Sequence, residues 1–227
     1  MEASGDLSTI VRGAFADALA LVLPVACAGC DEPDVALCEG CRDCLRPAPA
    51  SRDLESVTVW SGIRFEGVPA RVMRALKEDS RTGLARDLAP ALGSAVDQLG
   101  GGILVPIPTS RASFRRRGFR VAELVARRAG LPSKRLLRQG RQTADQRGLD
   151  LAGRRANVAG SLIARDAASR RVIVLDDVLT TGATIEEAVR ALTAGGAHVI
   201  GAVTIAATPK RNQRQSEHSA ATSETHT

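Results

Sequence analysis

The clearest hydrophobic signal is a run of four apolar residues, Val172, Ile173, Val174 and Leu175, preceded by Arg171 and followed by Asp176 and Asp177. Such a run reads as a strand buried on both faces at the centre of a parallel sheet, and the two carboxylates are expected to end it. Small and hydroxylic residues come next: Thr180, Thr181, Gly182, Ala183 and Thr184. A helical pattern then covers residues 185–194, with Thr184 and Glu187 at capping-box spacing and Gly195-Gly196 as its stop. Residues 199–207 form a last apolar strand.

Upstream, Leu7, Ile10, Val11, Phe15, Ala18, Leu19 and Val22 recur at helical spacing and predict an amphipathic helix over residues 7–23, ended by Pro24. Residues 47–52 hold two prolines and small side chains, and read as a linker. Alternation predicts a strand over 57–63, and helical patterns cover 68–77 and 84–99 around a polar break. After Gly100-Gly101-Gly102 a short strand, 103–105, runs into Pro106-Ile107-Pro108-Thr109. A further helix carries an apolar face of Phe119, Ala122, Leu124, Val125 and Ala129, and 161–164 is a short strand. Residues 139–155 are polar and without period, the kind of segment that serves as a mobile cover, and 210–227 read as a disordered tail. Alternating strands and helices after residue 100 imply right-handed crossovers and an α/β fold, an open parallel sheet flanked by helices. The expected organisation is a helix and cysteine knuckle in 1–46, the α/β domain in 47–208 and the tail in 209–227.

Composition changes this picture in two ways. With no Tyr, one Trp and four Phe, the core must be built from Ala, Val, Leu and Ile. The net charge of +6 is not spread evenly: residues 111–155 hold fourteen Lys or Arg against three acids, leaving that segment at +11. Most of these arginines suit a solvated helix face. Arg115-Arg116-Arg117-Gly118, placed directly after a strand and loop, can instead aim guanidinium groups at a phosphate or pyrophosphate. No basic segment precedes the apolar stretch 18–28, which argues against a secretory signal. That stretch is also shorter than the roughly 20 residues a spanning helix needs, so a cytoplasmic chain without a membrane span is expected.

All five cysteines lie within eighteen positions. Cys27, Cys30, Cys38 and Cys41 form a CxxC-x7-CxxC pattern that matches a tetrahedral structural Zn2+ site in a reducing compartment, against unligated or redox-active thiols as the alternative. Cys44 forms a third, overlapping CxxC with Cys41, and spacing alone leaves open whether it stands apart or displaces Cys41.

The chemistry concentrates around residue 180. A strand ending in acids, a loop of small residues and a helix N-terminus together make an anion site, with backbone N–H groups, threonine hydroxyls and the helix dipole favouring a phosphate. Asp176 and Asp177 suit ribose hydroxyls or Mg2+, which prefers oxygen ligands. Ligands in open α/β sheets bind at the carboxyl ends of strands, where this loop and the one after residue 105 both fall.

These residues resemble the phosphoribosyl pyrophosphate motif of type I phosphoribosyltransferases. The wider order of motifs resembles the ComF family, competence-associated proteins that join a cysteine knuckle to a phosphoribosyltransferase domain. The segments that carry it are the four cysteines, Ala75-Leu76-Lys77, Val105-Pro106-Ile107-Pro108, Arg116-Arg117-Gly118-Phe119, Thr143-x-x-Gln146 and Arg154-Arg155-x-Asn157-Val158. The family follows Arg-Gly-Phe with Asn-Gln and Leu-Lys with an aromatic, where this chain has Arg120-Val121 and Glu78.

The resemblance implies that Asp176 and Asp177 hold the ribose hydroxyls, directly or through Mg2+, and are the catalytic acids. It implies that Thr180, Thr181, Gly182, Ala183 and Thr184 cradle the 5-phosphate. Arg111, Arg115, Arg116 and Arg117 would then receive pyrophosphate on a loop where a non-proline cis peptide is expected, and Thr143, Gln146 and Arg155 would belong to the cover. The implied activity is transfer of a phosphoribosyl group, in association with DNA uptake. No acceptor pocket can be read from the residues. The alternative is a non-catalytic phosphoribosyl pyrophosphate sensor, or a component handling single-stranded DNA beside a DNA-uptake helicase.

Overall fold

A computed structural model describes residues 25–140 and 160–209. The expected helix at 7–23, most of the polar segment 139–155 and the tail at 210–227 lie outside the described residues. The apolar run at 172–175 lies in the strand Arg171–Leu179 and is buried throughout. Counting strands along the chain, β1 is Ala50–Asp53, β2 Thr58–Arg64, β3 Ile103–Pro106, β4 Leu137–Gln139, β5 Leu162–Ala164, β6 Arg171–Leu179 and β7 His198–Ala207. One sheet has the order β1-β2-β7-β6-β3, and β4 and β5 form a separate antiparallel ribbon. The pairs β2–β7, β7–β6 and β6–β3 are parallel, as the unbroken apolar run predicts, and only β1 is antiparallel to its neighbour.

Among the described residues six α-helices accompany the strands: α1 Glu39–Asp43, α2 Gly67–Glu78, α3 Ala85–Asp97, α4 Arg111–Arg117, α5 Val121–Arg128 and α6 Ala183–Ala194. They divide the core in two. Ile173 and Leu175 of β6 lie in a cluster with Val72, Met73 and Leu76 of α2, Leu88 and Leu92 of α3, and Leu124 and Val125 of α5. Val172 and Val174 lie in a second cluster with Ile185, Ala188 and Leu192 of α6, together with Leu137 and Leu162 of the ribbon. Aliphatic side chains fill both layers, as the shortage of aromatics requires. Close approach helps: a Cβ at Gly62 would sit 1.9 Å from the Ala91 carbonyl oxygen, so α3 lies directly on β2.

Four expectations change. Asp176 and Asp177 do not end β6; the strand continues to Leu179, because backbone pairing with β7 carries on through Asp176–Thr204 and Val178–Ala206. The linker at 47–52 contains β1, which pairs with β2 from Ala50–Ser61 to Asp53–Thr58. An exposed edge strand carries little hydrophobic pattern to betray it. The arginines expected on a loop sit on a helix, α4, which Gly118 ends at φ +76°, and the helix expected from Phe119 begins at Val121, on buried Val121, Leu124 and Val125. Thr184 and Glu187 form no capping box, for the N-cap of α6 is Gly182 and no side chain caps it. Glu187 is buried instead. Its carboxylate accepts the Leu162 N–H (3.0 Å) and two Arg190 N–H groups (2.7 and 2.8 Å), tying β5 to α6.

The cysteine knuckle packs on this core and does not stand away from it. Cys27, Leu37, Cys41 and Leu45 share the apolar cluster of α2 and α3. Arg42 bonds Asp87 of α3 (3.0 Å), Arg81 donates to the Ala36 carbonyl (2.7 Å), and Arg71 of α2 pairs with Asp31. No described helix is long and apolar enough to cross a membrane.

Candidate phosphate site and metal centre

Because β3 and β6 are parallel neighbours, the loops that follow them lie side by side at their carboxyl ends. The loop after β6 begins with Thr180 and Thr181, both exposed. Gly182 follows in the left-handed region, at φ +88°. A β-carbon there would meet Leu54 Cδ1 at 2.5 Å, so the position demands glycine twice over. The chain then enters α6 with its first-turn N–H groups uncapped by any side chain, apart from a long 3.4 Å contact of the Ala183 N–H with Thr181 Oγ1. Orphan N–H groups at a helix start, with the positive end of the helix dipole behind them, form a ready anion site.

Asp176 and Asp177 stand at the root of this loop, half-buried. Burial, and then the neighbouring Asp177 charge, push the Asp176 carboxyl up to about 7, against the Asp177 N–H and Lys77, which pull it down. That N–H donates to Asp176 Oδ1 at 2.8 Å. The Lys77 ammonium, near the end of α2, lies 3.0 Å from Asp177 Oδ2. The pair therefore carries one bound cation and one hard-to-ionise carboxyl. Mg2+ is held by one or two carboxylates plus substrate phosphates. The Asp176 oxygens fit that role, while Asp177 already has a cationic partner.

The second loop starts with a fixed point, the Ile107 N–H donating to the Leu175 carbonyl at 2.9 Å. Among the described residues no cis peptide bond occurs, so the one expected here is absent. Ser110 caps α4, accepting the Ser113 N–H at 3.2 Å. Arg111, Arg115 and Arg116 are exposed and make no ion pair among the described residues. Arg117 is half-buried, and its Nε has no hydrogen-bond partner there. Arg120 turns aside, stacking on Phe114 with its guanidinium 4.3 Å from the ring centre. Thr143, Gln146 and Arg155 lie outside the described residues.

Two residues at the site escaped the sequence reading. Lys77 belongs to a motif already noted, Ala75-Leu76-Lys77, but nothing local shows that α2 brings it to Asp177. Arg52 sat in the supposed linker. Its guanidinium donates to the Thr180 carbonyl (3.0 Å) and to the Thr208 carbonyl.

The Sγ atoms of Cys27, Cys30, Cys38 and Cys41 all lie within 4.8 Å of one another, with Cys30 and Cys38 3.6 Å apart. Four sulfurs around a tetrahedral Zn2+ sit about 3.8 Å apart for Zn–S bonds of about 2.3 Å, so the group fits this ion. Cys44, exposed past the end of α1, is not part of it. Burial pushes the Cys27 thiol up, but N–H donors from Cys38, Gly29 and Cys30 outweigh it and bring it down to about 6. Burial and the neighbouring sulfurs push Cys41 strongly upward. Four thiols this close cannot all ionise without a cation among them.

Residues 113–225 match the family model of the phosphoribosyl transferase domain, a span that takes in β6, the loop after it and α6. No curated protein matches the chain. Among solved structures, it is 24% identical to a glutamine phosphoribosylpyrophosphate amidotransferase from B. subtilis complexed with ADP and GMP, over 56% of this chain and 26% of that one, with a TM-score of 0.36. It is 17% identical to UMP synthase from Leishmania donovani, over 73% and 30% of the two chains, TM-score 0.37. An orotate phosphoribosyltransferase from Aeropyrum pernix is 19% identical, over 74% and 90%, TM-score 0.35. The chain thus spans less than a third of the amidotransferase and of the synthase.

Proposed function

We propose that this protein binds phosphoribosyl pyrophosphate with Mg2+ and transfers its phosphoribosyl group to an acceptor. The observation that carries this is one juxtaposition. An acidic pair leads into an uncapped helix N-terminus, and the arginines of α4, without ion pairs among the described residues, follow the neighbouring strand. The 5-phosphate would take the N–H groups of residues 181–185 and the threonine hydroxyls. Asp176 and Asp177 would hold the ribose hydroxyls, and Arg111, Arg115, Arg116 and Arg117 would meet the pyrophosphate. Mg2+, when bound, neutralises charge on the pyrophosphate oxygens. As the bond from ribose C1 to pyrophosphate breaks, its electron pair leaves with the pyrophosphate. The acceptor's lone pair forms the new bond at C1, and the carboxylates face the cationic charge that develops there.

The four-cysteine site is read as structural Zn2+, since four protein ligands leave no position open to substrate. Metal analysis of the purified protein should find one Zn2+ per chain. Incubation with phosphoribosyl pyrophosphate, Mg2+ and a panel of nucleobases and amines should release pyrophosphate. Failure with every acceptor would reject transfer.

A second reading, a non-catalytic ComF-like component that handles single-stranded DNA, is favoured by Arg111, Arg115 and Arg116, which are exposed and without an ion pair among the described residues. It then depends on backbone electrostatics, because aromatic stacking residues are scarce. DNA affinity should fall steeply with added salt, and affinity indifferent to salt would exclude it.

A further inference from the structure

The geometry points to Arg52 as a positioning residue for the phosphate cradle, acting through the backbone of Thr180. This rests on reading residues 180–184 as that cradle. A loop that binds an anion by its N–H groups must turn its carbonyls away, because a carbonyl oxygen aimed at the ligand repels it. Thr180 is the first loop residue, and its carbonyl is drawn aside by Arg52 Nη1 at 3.0 Å. The other arm of the same guanidinium takes the Thr208 carbonyl, just past β7. Thr208 in turn donates its N–H to the Leu179 carbonyl at 2.9 Å, and its hydroxyl to the same oxygen at 3.2 Å. A closed circuit therefore joins β1, the end of β6 and the end of β7 around the base of the loop.

Two neighbours of Arg52 complete the wall. Leu54 packs where a Gly182 side chain would be, and the Glu55 N–H donates to Glu186 Oε1 at 3.1 Å, holding the first turn of α6. Three of the four residues from Arg52 to Glu55 thus touch the loop or the first turn of α6. A planar, two-armed cation suits this task. Lysine has one ammonium and cannot bridge two carbonyls in fixed geometry. The edge strand is short and exposed, contributes no side chain to either apolar cluster, and is explained by this service.

The test uses the full chain and the variants Arg52→Met and Arg52→Lys, in two arms. In amide hydrogen exchange, Arg52→Met should speed exchange of the Thr208 and Glu186 N–H groups, which bond the Leu179 and Gly182 carbonyls at the two ends of the loop, by about tenfold or more while β2 and β7 stay as protected as in wild type, with Arg52→Lys between. Titrated with inorganic phosphate and with phosphoribosyl pyrophosphate plus Mg2+, Arg52→Met should bind each at least tenfold more weakly. Unchanged loop exchange in Arg52→Met overturns the proposal, and so does acceleration spread evenly through β2 and β7, the mark of a merely stabilising contact. If the loop responds as expected but wild type takes no phosphoribosyl pyrophosphate, the positioning role stands and the proposed function falls. If wild type and Arg52→Met bind it equally, with unchanged exchange, the function stands and the positioning role falls.

Discussion

The two loops at the ends of β3 and β6 are built on opposite plans. The loop after β6 presents backbone donors fixed from behind by Arg52, Leu54 and Glu55. The loop after β3 is pinned at Ile107 and leads into α4, whose long arginine side chains at 111, 115 and 116 have no partners among the described residues. Fixed N–H groups have met their ordering cost during folding. Each arginine must meet it on binding, and an immobilised long side chain loses about 1.5–2 kcal/mol of rotamer freedom. The first loop is therefore expected to set affinity for a phosphate. The second should add small, salt-sensitive increments.

The largest effect should come from filling the cradle. Gly182→Val must hold a β-branched residue at φ +88° against Leu54. The left-handed conformation costs about 1–2 kcal/mol and overpacking about 1–3, so about 2–5 kcal/mol of stability should be lost in urea titration, together with phosphate binding. A variant that folds and binds like wild type would break the contrast between the loops.

Next in size is Lys77→Met. It leaves Asp177 half-buried without its cation, and a charge-assisted contact of this kind is worth about 1.5–3 kcal/mol. Chemical denaturation at pH 7 should show a loss toward the lower end, since Asp177 keeps some exposure.

A pH profile isolates the acidic pair. The folded-state carboxyl of Asp176 is raised from the ordinary range to about 7. Its contribution to stability is therefore full below the unfolded value near 3.8 and is lost as pH climbs through 7. In ligand-free protein, Asp176→Asn should melt increasingly above wild type between pH 4.5 and about 8. A constant gap would show that Asp176 ionises as an ordinary carboxylate.

Smallest should be Arg115→Ala and Arg116→Ala. Each is expected to weaken pyrophosphate binding by less than about 1 kcal/mol at moderate salt, with the difference shrinking as salt rises. A loss above tenfold from either alone would mean the second loop is as preorganised as the first.

What the chain announces of all this follows from how each feature is encoded. Residues 172–175 declare a central parallel strand because both faces must be apolar, and the four cysteines declare themselves by spacing. The small-residue turn was legible from Thr180, Thr181, Gly182 and Ala183, but the start of the helix was not, since a Thr184–Glu187 cap was expected and Gly182 holds the position. Arg52 and Lys77 were not, since their partners are 128 and 100 positions away and one is a backbone carbonyl. Glu187 misled for a related reason: capping-box spacing is local, while its real partners lie on β5 and one turn along α6. The end of β6 was misplaced because pairing with β7 tolerates carboxylates at a sheet's rim.

The central claim is that Asp176, Asp177 and the loop after them hold a ribose 5-phosphate bearing pyrophosphate. Isothermal titration of phosphoribosyl pyrophosphate with Mg2+ into wild type and into Asp176→Ala/Asp177→Ala tests it most directly. The account predicts saturable 1:1 binding by wild type and at least a tenfold weaker constant for the double variant, while inorganic phosphate binds both alike. Equal binding of phosphoribosyl pyrophosphate by the two proteins would contradict it.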